Sequence, residues 1–192
     1  MTLLDSLIAQ GVRALREPRA AAADVLTLGY PRSALAPALF LVVAISVILN
    51  TISEFLAPSP FVTITPFQMT VLLTIMLVVF SFAVAKAGSW LGGVGGFHDS
   101  LLLMIFLQAI FLPAVAAQIV LFVLAPPLAG IFILVVMVFL TWVHVNFIAA
   151  LHGFTTLGRA FGVLLLAVGM TFFALMLIAP LLVTPTGGFS NV

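Results

Sequence analysis

The chain has no cysteine. That excludes disulfides, thiolate metal sites and a cysteine nucleophile, and it leaves the redox compartment unreadable. Charge is almost as scarce. Only 6% of the 192 residues are charged, against about a quarter in a soluble domain, and the net charge of +1 gives no basis for a nucleic-acid partner. The acidic residues Asp5, Glu17, Asp24, Glu54 and Asp99 are scattered, so no carboxylate cluster offers itself to a divalent cation or to acid–base chemistry. The histidines are His98, His144 and His152, too dispersed in the chain to advertise the three or four converging ligands of a zinc site. Ser89 has no base close in sequence, and no Gly-x-Ser-x-Gly elbow occurs. No catalytic set, metal or cofactor is therefore expected.

What the chain does have is apolar surface. Hydrophobic residues make up 65% of it and the mean hydropathy is +1.43, far above the roughly half-apolar soluble average. A membrane-spanning helix needs about 20 mostly apolar residues. Five such runs are present, at 34–53, 65–85, 100–124, 127–151 and 160–183. The fold class that follows is an all-α integral membrane protein with five transmembrane helices. Its organisation is an N-terminal segment over 1–33, a five-helix membrane domain over 34–183 and a short tail over 184–192. Little chain is left for a soluble domain.

The N-terminal segment does not read as a signal peptide, because Asp5 comes early and Arg13, Arg16 and Arg19 follow the apolar residues rather than precede them. Leu3, Leu4, Leu7, Ile8, Val12 and Leu15 recur at helical spacing. The pattern predicts an amphipathic helix that lies in the membrane interface or packs on the cytoplasmic ends of the spans. Pro18 breaks it and opens a second short helix over 19–28. Leu7, Arg13, Arg16 and Arg19 are the candidate contacts with the membrane surface.

Orientation follows from charge. Arg13, Arg16, Arg19 and Arg32 precede the first span, Lys86 lies between the second and third, and Arg159 lies between the fourth and fifth. Five spans put all of these on one side and leave no lysine or arginine on the other. The positive-inside rule then places the N-terminus in the cytoplasm and the C-terminus outside.

Three features within the membrane domain stand out. Trp90-Leu91-Gly92-Gly93-Val94-Gly95-Gly96-Phe97-His98-Asp99 lacks the strand and the Gly-Lys-Ser/Thr ending of a phosphate loop. It reads as a tight turn in which glycine permits positive φ and close helix approach, with Asp99 placed to cap the third span. Gln108, His144 and Asn146 fall at similar depth on the third and fourth spans. They form a candidate intramembrane polar cluster, either hydrogen-bonded glue between helices or a polar path. Gly158, Gly162 and Gly169 make a smooth stripe on the last span where another helix can approach closely. Pro113 should weaken or kink the third.

Three stretches resemble the Yip family in its bacterial form, small five-span proteins named for interaction with Ypt/Rab GTPases. They are the approach from Arg16-Glu17-Pro18-Arg19 to Ala34-Leu35-Ala36-Pro37, the glycine turn leading into a span that carries Pro113, and Ala150-Leu151-His152-Gly153-Phe154-Thr155-Thr156-Leu157-Gly158-Arg159-Ala160. The likeness covers residues 16–183. It implies a non-enzymatic role linked, in eukaryotic members, to trafficking, organelle shape and GTPase recruitment. The reading is a scaffold or accessory protein of a bacterial inner membrane. Its partners would be membrane lipids and a second copy or a larger membrane complex. The alternative is a small transporter, channel or lipid-handling protein that uses the Gln108, His144 and Asn146 belt.

Overall fold

The structure, a computed structural model, describes residues 11–56 and 64–182. No strand occurs among them. Helical residues 11–16 bend at Glu17 into α1 (Pro18–Thr27). Five long helices follow: α2 (Arg32–Leu56), α3 (Pro66–Trp90), α4 (Phe97–Leu124), α5 (Pro126–His152) and α6 (Leu157–Leu182). Each of the five is long and apolar enough to cross a membrane. The protein is thus an all-α chain with five candidate spans. Leu7 and the apolar residues before Gly11 lie outside the described residues.

Local chemistry sets the helix ends. Pro18 takes the first position of α1, where its missing N–H is not needed. Thr65 and Gln68 form a reciprocal capping box at the start of α3: the Gln68 N–H donates to Thr65 Oγ1 at 3.3 Å and the Thr65 N–H donates to Gln68 Oε1 at 2.9 Å. The C-termini of α3 and α5 both close with a left-handed glycine, Gly92 (φ 83°) and Gly153 (φ 67°). Gly93 N–H reaches back to Gly88 O at 2.8 Å, and Phe154 N–H to Ala149 O at 3.0 Å. These are the six-to-one bonds of a Schellman ending, which turns the chain sharply into the next span.

One boundary differs from the sequence expectation. The third span starts at Phe97, not at residue 100, and Gly96 is its N-cap without a side-chain bond. Asp99 sits inside the first turn, where His98 Nδ1 meets its carboxylate at 3.1 Å. The extended backbone of Gly96 (φ −90°, ψ 168°) lets helical geometry begin one turn earlier than the polar pair implied. Pro113, by contrast, lies within a helix that runs through it to Leu124.

The spans α3, α4, α5 and α6 pack in a ring, each against its chain neighbour, and α6 closes on α3 with the most extensive interface of the molecule. The short links between them make neighbours antiparallel. Helix α2 lies outside the ring against α3 and α4, and α1 lies across α5 and touches α4. This topology brings Arg13, Arg16, Arg19, Arg32, Lys86 and Arg159 to one end of the bundle, here called the basic end.

Packing is uneven along the bundle. Near the basic end, Val84 and Ala87 of α3, Leu103 and Met104 of α4, Phe147 and Ile148 of α5, and Ala160 and Val163 of α6 are almost fully buried. Ser100 Oγ donates to the Ser81 carbonyl at 2.8 Å and ties α4 to α3 in this core. Toward the far end the burial stops: past Phe111 on α4 and past Thr171 on α6 no described residue is buried, and on α5 only Ala129 is buried before Val143. The ring is closed at the basic end and loosens toward the other.

Candidate functional site

Two places collect polar groups inside this frame. The first is at the basic end. His152, the last residue of α5, is only 2% exposed. The Gly95 N–H donates to its Nδ1 at 3.1 Å, and its Nε2 lies 3.2 Å from the Val84 carbonyl. A carbonyl only accepts, so Nε2 carries the proton and Nδ1 the lone pair, and the neutral ring satisfies both partners. Phe154 stacks on the ring with centroids 5.4 Å apart. Gly88 at the end of α3 and Gly93 and Gly95 of the turn approach the imidazole so closely that none of the three admits a side chain. A Cβ on Gly88 or Gly93 would run into the His152 side chain, and one on Gly95 would lie 2.8 Å from the Leu151 carbonyl. The guanidinium of Arg19 donates to the Phe154 carbonyl just beyond. This constellation locks α1, α3, the turn and α5 together. Its ring nitrogens are spent on backbone, so it offers nothing to a ligand.

The second place is mid-bundle. Gln108 lies about 17 Å along α4 from Phe97, and His144 about 12 Å up α5 from His152, at 1.5 Å per residue. They share two cavities of about 380 Å³ each. One lies inside the ring, walled by Leu77 and Phe80 of α3, Met104 of α4 and Val168 and Thr171 of α6. The other lies between α2, α4 and α5, beside Asn50, Phe111, Gln118 and Val136. Leu107, Gln108, Leu140 and His144 line both and form the waist between them.

Hydrogen bonds fix how the waist residues present themselves. His144 Nδ1 lies 2.9 Å from the Leu140 carbonyl of its own helix, so in the neutral ring Nδ1–H donates and Nε2 keeps a lone pair. Ser46 donates its hydroxyl to the Val42 carbonyl at 2.8 Å and accepts from Gln108 Nε2 at 3.4 Å. That choice orients the amide, because a flipped Gln108 would set its oxygen against a hydroxyl whose proton is already used. Phe80 meets His144 edge-on at 5.9 Å. Among the described residues, both polar groups of the waist keep an unused acceptor.

The expected site residues separate accordingly. Gln108 and His144 meet at one cavity wall, but no hydrogen bond joins them among the described residues. Gln108 bonds to α2 instead. Asn146 does not join them: it is buried and donates to the Trp142 carbonyl at 2.8 Å. Two residues along the helix turn it about 200° away from His144. Of the surface candidates, Arg16 is exposed, Arg13 pairs with Asp24, and Arg19 is committed to the Phe154 carbonyl. Of the glycine stripe, Gly162 has Leu91 within 3.8 Å of a built Cβ, while Gly158 and Gly169 face open space. Among the described residues, no other helix meets a Cβ placed on either of them. Ser46 and Thr171 are cavity-level residues that the sequence reading passed over. Both lie about 21 Å from the basic end of their helices by residue count, close to Gln108, so a depth count over every hydroxyl would have found them.

No protein-family model, curated protein or solved structure matches the chain.

Proposed function

We propose that this chain is a non-enzymatic scaffold or accessory protein of a bacterial inner membrane, of the Yip type, with its basic end in the cytoplasm. The observation that carries the proposal is the construction of that end. Its one buried histidine is consumed by backbone partners, its N-terminal helix is docked rather than free, and exposed apolar and cationic side chains surround it. Val12, Leu15, Leu28, Trp90 and Val94 are exposed there alongside Arg16 and Arg32. Such a rim suits the headgroup region of a leaflet or a flat partner surface. Ala14, not Val12 or Leu15, is the residue of the 11–16 stretch that faces the bundle, which leaves the apolar pair for the membrane interface. The rule that places lysine and arginine inside supports the orientation, and the likeness of residues 16–183 supports the family type.

One observation favours a second reading, a small transporter or lipid-handling protein: the pair of cavities that meet at Gln108 and His144. Purification of the intact chain in mild detergent, followed by native mass measurement, separates the two. A stoichiometric second protein that is lost from an Ala22→Glu variant supports the scaffold. A chain that carries lipid and no second protein moves the assignment to lipid handling.

A further inference from the structure

We propose that the paired cavities bind a neutral amphiphile with a hydroxyl head, such as a long-chain or isoprenoid alcohol. The head would sit at the Gln108–His144 waist and the chain in the apolar cavity between α3 and α6. The proposal deepens the lipid-handling reading above and rests on it for its biological use, though not for the binding itself.

The size is right for a head and the first part of a chain. Each cavity holds about 380 Å³, within the roughly 300–1,000 Å³ of small-molecule pockets. The walls are right for hydrocarbon: Leu77, Phe80, Met104, Leu107, Val168 and Leu175 surround the inner cavity. Its lining also includes Met76 and Phe172, both exposed on the membrane-facing surface, so a chain can run out between α3 and α6 into the bilayer.

The chemistry of the head follows from which atoms are spent. His144 Nδ1 donates to Leu140, and Gln108 Nε2 donates to Ser46. Among the described residues, no protein donor reaches His144 Nε2 or Gln108 Oε1. A waist that offers acceptors selects a donor. It does not select an anion, because no lysine or arginine lines either cavity, and a carboxylate or phosphate would be buried without a counter-charge. A hydroxyl satisfies both conditions. It gives its proton to one acceptor, and a second donor is available to it from the remaining Gln108 N–H.

The test uses the full chain reconstituted in phosphatidylcholine vesicles with a photoactivatable diazirine derivative of a sixteen-carbon alcohol and with the methyl ether of the same chain. The expected result is labelling of α4, α5 and α6 peptides around the waist by the alcohol, about five- to tenfold above the ether, the factor that a single net hydrogen bond supplies. His144→Leu should erase the difference, and Gln108→Leu gives the same reading should that variant not fold. Equal labelling by alcohol and ether overturns the proposal, as does labelling confined to lipid-facing residues such as Val135 and Val138. Transfer of the alcohol between leaflets is measured in the same vesicles. Selective labelling without transfer leaves the site standing and removes only the handling role.

Discussion

At the scale of single residues, the glycines do three different jobs. Gly92 and Gly153 are required by backbone angle, since a left-handed φ is strained for any residue with a Cβ. Gly88, Gly93 and Gly95 are required by space, because His152 and Leu151 occupy the positions their Cβ atoms would take. Gly158 and Gly169 are required by neither among the described residues. Gly88→Ala should therefore cost about 1–3 kcal/mol by overpacking, read as a lower thermal midpoint in detergent. His152→Ala should cost about 1–3 kcal/mol through the stranded Gly95 N–H. The Gly88→Ala/His152→Ala pair should cost less than the two together, because the new methyl group enters the space left by the ring. Additive losses would show that the two do not meet. Gly169→Ala should instead be neutral or gain up to about 1 kcal/mol, since it replaces glycine in a helix over open space. A loss there would reveal a second molecule on the stripe. Glycine in the turn was legible from sequence. Its partner was not: His152 is 57 positions from Gly95, and nothing in its own surroundings sets it apart from an ordinary helix end.

At the scale of elements, α1 is held by small side chains. Pro18, Ala21, Ala22 and Val25 are buried against the bundle, and Ala14 extends the same contact. Small residues let two helices approach closely, and that approach replaces a large apolar face as the means of docking. Ala22→Glu should release α1, with faster amide exchange over residues 18–27 while the spans stay protected. Arg13→Ala should change little. Its ion pair with Asp24 is half exposed on both sides, and such pairs contribute about 0–1 kcal/mol. If Arg13→Ala freed the helix and Ala22→Glu did not, charge rather than packing would hold it. Here the sequence left two placements open for the apolar face, the membrane interface or the ends of the spans, and for a physical reason. Hydrophobic periodicity marks the buried face of a helix in water, whereas beside a membrane the large apolar face can turn outward, as Val12 and Leu15 do. The five spans were legible for the same reason: length and apolarity are what the bilayer demands, and they do not depend on which neighbour each helix meets.

At the scale of the whole molecule, one end is packed and the other is open. The basic half carries the fully buried residues, the serine bond between α3 and α4, and the clamped histidine. The polar waist lies mid-bundle, where the packed half gives way to the open one, and its cavities extend from there toward the far end. Depth counting along the spans was enough to put Gln108 and His144 at one level. It could not say which side of each helix they occupy, which is why Asn146 was grouped with them; Ser46 escaped because the count took in amides and imidazoles but not hydroxyls. The central claim is that the packed basic end is the cytoplasmic face and the open half lies toward the other leaflet. The absence of cysteine makes this directly measurable. Single substitutions Ser89→Cys, Thr156→Cys and Ala125→Cys can be exposed to a membrane-impermeant maleimide in sealed vesicles of known sidedness. The account predicts that positions 89 and 156 react only from the cytoplasmic side and position 125 only from the opposite side. Reaction of positions 89 and 125 from the same side would contradict the five-span arrangement, and a full reversal would contradict its orientation.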